Sequence, residues 1–319
     1  MFWTPAFAGV TLQETFYEII NPCKVRSQKA SEIHSGFSSE GCTLKVSYYP
    51  GCALHGTARE YDESTRAVSA LLGVELGELP DWNCCGASSA HMTDDSLAHG
   101  LVARNLAIAE KAGRDLVVPC AACYSRFKTG EKELEAGAPK LNFRILSLLE
   151  FLVDDGLMDR IPGMIKRPLV GLKMVSYYGC LLVRPPKVTG AKKYENPEEM
   201  DKLLGLLRAE AIPWSYKTDC CGGSLVLTRA DIVRRLTRKL FDKALEAGAE
   251  AVAVACPLCQ SNLDSRQEEI SREAGKNYQI PILYITELIG LSLGHPDTGK
   301  WFRRHFVDPR KLLVSKGLF

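Results

Sequence analysis

The sequence predicts an α/β protein made of two copies of one cysteine-rich unit, each assembled from parallel βαβ elements. Ten of the twelve cysteines form one pattern twice: Cys52, Cys84-Cys85-Gly86 and Cys120-Ala-Ala-Cys123, then Cys180, Cys220-Cys221-Gly222 and Cys256-Pro-Leu-Cys259. The offset from Cys84 to Cys220 equals that from Cys120 to Cys256, 136 residues, so the two copies differ by an eight-residue insertion after Cys180. Their flanks repeat as well: Lys45-Val-Ser-Tyr-Tyr-Pro-Gly-Cys52 answers Met174-Val-Ser-Tyr-Tyr-Gly-Cys180, and Asp115-Leu-Val-Val-Pro-Cys120 answers Ala251-Val-Ala-Val-Ala-Cys256.

In chain order, residues 1–43 read as an N-terminal extension or a misassigned start, Ser-rich from Ser27 to Ser39 and without a counterpart in the second copy. Residues 44–150 form the first unit. Its β-branched and aromatic runs ending at Cys52 and Cys120 read as buried strands, while Thr57 to Leu72 and Asp94 to Ala112 carry apolar residues at helical spacing. Residues 151–168, punctuated by Gly and Pro, read as a linker, and 169–268 as the second unit, with a helix from Thr228 to Ala247. Residues 269–319 read as a C-terminal tail that packs back on the body through Trp301, Phe302 and Phe306. Each cysteine cluster then falls at the carboxyl end of a strand or the start of the next helix, where open α/β sheets place their ligands.

Composition narrows the function. A formal net charge of +2 gives no field for nucleic acid or an anionic membrane surface, and the longest apolar runs fall short of the roughly 20 residues that span a bilayer. Met1 to Thr11 has no basic leader and contains Pro5 and Gly9, unlike a secretory signal. The expected place is the cytoplasm, with any membrane reached through partners rather than by direct insertion. No G-x-G-x-x-G opens a helix after a strand, so no nucleotide fingerprint is present.

Five thiols per unit admit several chemistries. Structural disulfides suit small secreted domains, whereas these units have ample core. A thioredoxin-like dithiol would use Cys-x-x-Cys and leave the adjacent pair unused. Structural zinc wants four ligands, one fewer than each unit offers. An iron-sulfur cluster is larger than one metal ion and can take thiolates from adjacent cysteines and from a fifth, which makes it the best physical reading. The C-x-x-C-x-x-C-x-x-x-C-P run of ordinary ferredoxins is absent, so an atypical cluster is expected.

From Lys45 to Ser265 the chain resembles the B-type subunit of heterodisulfide reductase and its bacterial relatives, proteins with cysteine-rich CCG modules. Beyond the cysteines, the resemblance is carried by Tyr178-Gly-Cys180-Leu-Leu-Val-Arg184-Pro185, Glu195-Asn-Pro197 and Lys217-Thr-Asp-Cys220-Cys221-Gly222-Gly223. It implies two modules related by pseudo-twofold symmetry, each binding a noncubane [4Fe-4S] cluster through its five cysteines: Cys52, Cys84, Cys85, Cys120 and Cys123 in one, Cys180, Cys220, Cys221, Cys256 and Cys259 in the other. The facing clusters would cleave a small-molecule or protein-bound disulfide, or run the reverse oxidation. Electrons would come from a ferredoxin-like, C-type iron-sulfur subunit with an A-type flavin subunit behind it. The alternative is a non-catalytic iron-sulfur electron-transfer subunit of a respiratory dehydrogenase complex.

That family often has a His after the first cysteine of the second module, a ready proton donor; Leu181 stands here. Outside the clusters His55 and Arg184 are the catalytic candidates, each with a plainer reading as a hydrogen-bonded or solvated side chain. His91, His99 and the four tyrosines Tyr48, Tyr49, Tyr177 and Tyr178 read as surface or packing residues, and Cys23 and Cys42 as non-ligands. Deleting residues 1–42 is expected to leave iron content and melting temperature unchanged; lost iron or a large fall in melting temperature would make the extension part of the fold.

Overall fold

The computed structural model describes residues 43–87, 89–135, 140–154 and 156–319. Residues 1–42, with Cys23 and Cys42, lie outside the described residues. The chain forms two four-stranded, wholly parallel sheets of identical order, β2-β1-β3-β4 and β6-β5-β7-β8. The first contains β1 (Leu44–Tyr48), β2 (Val74–Glu78), β3 (Leu116–Val118) and β4 (Ile145–Ser147), with α1 (Gly51–His55), α2 (Arg59–Leu71), α3 (Ser89–Thr93), α4 (Asp95–Ala112), α5 (Ala121–Glu135) and α6 (Leu148–Asp154) between or after them. The second contains β5 (Lys173–Tyr177), α7 (Pro186–Thr189), α8 (Glu199–Leu206), β6 (Glu210–Ala211), α9 (Ala230–Glu246), β7 (Ala251–Val254), α10 (Pro257–Ser265), α11 (Gln267–Ala274), β8 (Ile282–Tyr284) and α12 (Ile285–Ser292). Short helices α13 (Thr298–Phe302) and α14 (Arg310–Ser315) close the chain.

The α/β class and the duplication predicted from the repeats are what the structure contains. β3 and β7 are wholly buried and read as continuous apolar runs, Leu-Val-Val and Ala-Val-Ala-Val, while β1 and β5 are buried over their last three and four residues. α4 begins after Asp94, whose carboxylate accepts the Leu97 N–H at 3.0 Å and so satisfies one donor of the first turn.

Two stretches differ from expectation. Residues beyond 268 supply β8, which pairs with β7 at Val252↔Ile282 to Val254↔Tyr284; a three-residue edge strand is too short to show in the sequence pattern. Trp301 and Phe302 are buried as expected, but Phe306 is 76% exposed, because its backbone N–H is bound by Asp264 Oδ2 at 2.8 Å and the ring is left outside. The expected linker is itself packed: Phe151, Leu152, Leu157 and Ile161 are buried, and Arg160 Nη1 donates to the Leu72 carbonyl at 2.6 Å.

The two units meet along two seams. On one, α2 lies against α12, with Tyr61 and Tyr284 stacked at 4.0 Å between centroids, 5° from parallel, and Ser64 Oγ 2.7 Å from Thr286 Oγ1. On the other, α5 packs on α7, and Tyr124 Oη donates to the Thr189 carbonyl at 3.3 Å. The segment that carries the insertion thus contributes to an interface. Among the described residues no helix is long and apolar enough to cross a membrane.

Behind the first seam lies a buried ionic group. Glu287, the third residue of α12, reaches back to accept the N–H of the N-cap residue Tyr284 at 2.9 Å, and its other oxygen takes the His305 Nε2–H at 2.9 Å. Burial disfavours the imidazolium, but the carboxylates of Glu287, Asp264 and Glu60 overcome this and hold its pKa up to about 9. A cation held above its unfolded value stabilises the fold fully below about pH 6.5 and loses that contribution as pH rises through about 9. We expect thermal stability to fall across that window by on the order of 3 kcal/mol, at roughly 1.4 kcal/mol per pKa unit. His305→Gln should be less stable at pH 6.5 and lose most of the fall across the window, keeping only the smaller part that Glu60, raised to about 7, contributes near its lower end; a wild-type profile that is itself flat there would show that the pair contributes no such stability.

Candidate functional site

Every cysteine motif sits at the carboxyl edge of its sheet. Cys52 and Cys180 follow the central strands β1 and β5, and Cys120 and Cys256 follow β3 and β7 and lead directly into α5 and α10. Parallel strands put all their carboxyl ends on one edge, so residues far apart in sequence converge there. In the first unit Cys85 and Cys123 share a hydrogen bond, Sγ to Sγ 3.1 Å; in the second, Cys221 and Cys259 approach to 3.9 Å. The backbone N–H of Gly86 donates to Cys84 Sγ at 3.4 Å, and that of Gly222 to Cys220 Sγ at 3.2 Å, the same contact in both copies. Helix α10, which carries Cys259 and directly follows Cys256, packs on α1 and α5, which carry Cys52 and Cys123, and Cys120 and Cys256 lie near enough to shift each other's thiol pKa in opposite directions. The two sets therefore adjoin at the centre of the molecule.

All ten cysteines are free thiols, which removes the structural-disulfide reading. Cys85, Cys120, Cys123, Cys221, Cys256 and Cys259 are buried, Cys180 is half-buried, and Cys52, Cys84 and Cys220 are exposed. Thiol hydrogen bonds within the sets favour the thiolate at particular positions. Cys123 and then Cys84 draw Cys85 down to about 3; Cys180 draws Cys220 down to about 6; Cys120 and then Cys259 lower Cys256. Their partners Cys84, Cys120, Cys123, Cys180 and Cys259 are raised correspondingly. Among the described residues no three His, Cys, Asp or Glu side chains converge as a single-ion site would require. The sulfurs that are hydrogen-bonded to one another form the pairs Cys85–Cys123 and Cys221–Cys259.

Two tyrosines that read as packing residues in the sequence hold the turns. Tyr49 Oη donates to the Asn83 carbonyl and Tyr177 Oη to the Asp219 carbonyl, at 2.8 and 2.7 Å, each just ahead of its Cys-Cys pair. This makes Tyr49 the counterpart of Tyr177, and Pro50 that of Tyr178. The repeated Val-Ser-Tyr-Tyr is thus offset by one residue in space, because counting back from the cysteine without a gap keeps the same strand face inward. Burial pushes both phenols up, and the neighbouring cysteines add to it.

Gly51 and Gly179, which precede the first cysteine of each set, carry a role that sequence reasoning missed. Their φ angles are +68° and +67°, and a Cβ there would stand 3.2 Å from Cys123 Sγ and 2.8 Å from Cys259 Sγ. Only glycine lets the strand end come so close to the second sulfur of each Cys-x-x-Cys. The second Cys-Cys turn is held by Asn262, whose Nδ2 donates to the Cys221 carbonyl at 2.8 Å. At the matching place in the first unit stands Arg126, with its Nε buried and unpartnered and Nη1 3.5 Å from His91 Nδ1.

The other candidates fall outside the sulfur sets. His55 is paired through Nε2 with Glu78 Oε1 at 3.1 Å and lies edge-on to Trp82, which supports its plainer reading. His99 pairs with Glu133 on a helix surface. Arg184 Nη2 is bound to Glu195 at 2.8 Å and Thr218 Oγ1 at 3.0 Å, and its backbone N–H donates to the Cys180 carbonyl at 2.9 Å, so it braces the loop beside Cys180. Lys217 is buried and fixes the same loop through the Pro197 carbonyl at 2.9 Å and Asp201 at 2.8 Å. The Arg-Pro, Glu-Asn-Pro and Lys-Thr-Asp segments thus form one brace around the second set. Leu181, next to Cys180, is 39% exposed.

Comparison with known proteins gives consistent matches. The cysteine-rich domain family CCG matches residues 46–128 and 174–264. The chain is 30% identical, over 84% of its length and 99% of the relative, to the 8-methylmenaquinol:fumarate reductase membrane anchor subunit of Wolinella succinogenes. It is 26% identical, over 78% of its length and 89% of the relative, to the B-type subunit of the ferredoxin:CoB-CoM heterodisulfide reductase of Methanosarcina mazei. The crystal structure of a hypothetical protein from Helicobacter pylori shares the fold at a TM-score of 0.62 and 12% identity, covering 92% of this chain and 60% of that one.

Gly179→Ala should be the more damaging of the two glycine substitutions, since its Cβ clearance is 2.8 Å against 3.2 Å at Gly51. It should destabilise by about 1–3 kcal/mol through strain alone. Tyr177→Phe keeps the ring and loses one hydrogen bond, and should cost about 1 kcal/mol. Denaturant midpoints of these variants check the order, and a Gly179→Ala protein as stable as wild type would mean that the strand end can withdraw from Cys259.

Proposed function

The chain belongs to the cysteine-rich CCG domain family, and from that premise we propose that it is an iron-sulfur subunit of a multi-subunit reductase in which two cysteine-held clusters act together on a sulfur substrate. The observation that carries this reading is the junction of the sets, where α10 with Cys259 packs on α1 with Cys52 and α5 with Cys123. Two independent relay sites would not need adjacent ligands; a bond cleaved between two centres would. The donor set fits the group: five thiols per unit, pre-paired and partly drawn to the thiolate form, in the soft-ligand chemistry that iron-sulfur clusters take.

Cys52, Cys84, Cys85, Cys120 and Cys123 would hold one noncubane [4Fe-4S] cluster, and Cys180, Cys220, Cys221, Cys256 and Cys259 the other. When bound, the clusters would supply two electrons and a soft iron site for each sulfur of a disulfide. The protein's own contribution is positioning. Tyr49 and Tyr177 fix the Cys-Cys turns from beneath, Gly51 and Gly179 admit the strand ends, and the Arg184–Glu195–Lys217 brace holds the wall beside Cys180. Held in this way, two reacting sulfurs would meet preorganised partners. No proton donor stands at Leu181, so a departing thiolate would be protonated from solvent. Electrons would arrive from a ferredoxin-like iron-sulfur subunit with a flavin subunit behind it, and any membrane contact would be through such partners.

A second reading has its own support. The relative at 30% identity is named for fumarate reduction and membrane anchoring rather than for disulfide chemistry, and Leu181 presents an apolar side chain where a proton donor would serve thiol release. On that reading the clusters pass electrons between partners without binding a disulfide.

Anaerobically prepared protein should carry about eight iron atoms per chain, and Cys85→Ser or Cys221→Ser should alter the spectrum of one centre and spare the other. A chain holding one zinc and no iron ends the proposal. With iron present, reoxidation of the reduced protein by low-molecular-weight disulfides supports catalysis, and its absence with every disulfide tried moves the relay reading ahead.

A further inference from the structure

Among the described residues, the largest group of buried ionisable side chains outside the cysteine sets lies beside their junction. Glu60, in the first turn of α2 and only 4% exposed, lies where α2 packs on α12, within electrostatic reach of Glu287, of His305 and Arg304 in the C-terminal segment, and of Tyr284 of β8. Asp264 of α10 completes the group 3.9 Å from His305 Nδ1. The next residue after Glu60, Tyr61, donates its hydroxyl to the Ala255 carbonyl at 3.2 Å, directly ahead of Cys256, and stacks on Tyr284. Gln260, which follows Cys259, reaches Asp264 Oδ2 at 3.1 Å, His305 Nδ1 at 3.3 Å and Tyr284 Oη at 3.4 Å. The group is therefore bonded into both the strand end and the helix that carry Cys256 and Cys259. On its far side Arg304 and Lys300 reach Glu63 at 2.9 and 3.6 Å, half in solvent.

We propose that this Glu60–Glu287–Asp264–His305 cluster is a proton-binding site linked to reduction of the cysteine-held centres, with Glu60 as the group that takes up the proton. The inference rests on the reading that the two sets hold redox-active iron. An electron added at the Cys120–Cys256 junction places negative charge in a low-dielectric interior, where a nearby carboxylate responds strongly. Glu287 and Asp264 accept from backbone N–H groups of other residues and pair with His305, whereas Glu60 is met only by its own backbone N–H, so Glu60 is the acid least held in one state. Burial, with the charge of Glu287 added, has already brought Glu60 up to about 7, close to half-protonated at neutral pH before any electron arrives. The step balances as one electron from a one-electron reductant, one proton from the buffer, and the Glu60 carboxylate becoming a carboxylic acid; no bond in the cysteine sets changes.

The test is a dithionite redox titration of the iron-loaded protein between about pH 6 and about pH 9, together with reduced-minus-oxidised infrared difference spectra. The wild type should show a reduction equilibrium that shifts by up to tenfold per pH unit, about 59 mV for one electron, and should gain a protonated-carboxyl band on reduction. Glu60→Gln should keep the iron and lose both the pH dependence and the band. A wild-type potential that ignores pH, or a Glu60→Gln protein that keeps the wild-type slope, overturns the proposal while leaving the iron-sulfur reading intact. A wild type that binds no iron overturns that reading, and this proposal with it. Should Glu60→Gln fail to hold iron, the wild-type difference spectrum decides: a gained carboxyl band sustains the proposal, and its absence overturns it.

Discussion

The packing of α10 on α1 and α5, with the Tyr61 hydroxyl bonded to the Ala255 carbonyl just ahead of Cys256, brings the carboxyl ends of the two sheets together, and that contact orders the molecule around it. Each Cys-x-x-Cys follows the strand next to its unit's first strand, so both motifs stand at the middle of their sheets. The seams then follow. α2 has to meet α12 on one flank and α5 has to meet α7 on the other, and the contacts found there are polar and specific rather than merely apolar: Ser64 to Thr286, Tyr61 to Ala255, Tyr124 to Thr189. Burying hydroxyls is tolerated because each has a partner.

The duplication was legible because a fold repeated twice must repeat its glycine, cysteine and strand positions at a fixed offset. Long amphipathic segments were equally plain: the expected helices Thr57 to Leu72, Asp94 to Ala112 and Thr228 to Ala247 are Arg59–Leu71, Asp95–Ala112 and Ala230–Glu246 in the structure. What did not show was whatever depends on contact across the chain. β8 is three residues long, and its identity as a strand comes from pairing with β7. Glu60, Glu287 and His305 are polar residues that a sequence assigns to the surface; they are buried because residues far apart in the chain neutralise one another. The pairing of Tyr49 with Tyr177 was hidden by a better-looking alignment that put Tyr48 there instead. In the glycines that precede each first cysteine, a signal was present, since Gly-Cys occurs at both places, but its reason lies in the distant sulfurs of Cys123 and Cys259.

The two units are alike in topology and unlike in support. The second Cys-Cys turn is held by Asn262 and Thr237 and walled by the Arg184–Lys217 brace, while the first has Asn105 bonded to both backbone groups of Asn83, and Arg126 with an unpaired Nε. Equal donor sets in unequal surroundings would give the centres different hydrogen bonding and charge, two of the levers by which a protein sets cluster potential. A symmetric scaffold with asymmetric lining would give electrons a preferred direction.

The gradient of cysteine burial also gives the molecule an inside and an outside for chemistry that arrives by diffusion. Cys52, Cys84 and Cys220 face water while both Cys-x-x-Cys motifs lie in the core. A metal donor, an alkylating agent or dioxygen approaching from solvent meets the outer thiols first and the buried ones later. Loading would then proceed from rim to centre, and oxidative damage would strip the rim while the shared inner thiols stay intact, leaving a scaffold from which a lost centre can be rebuilt.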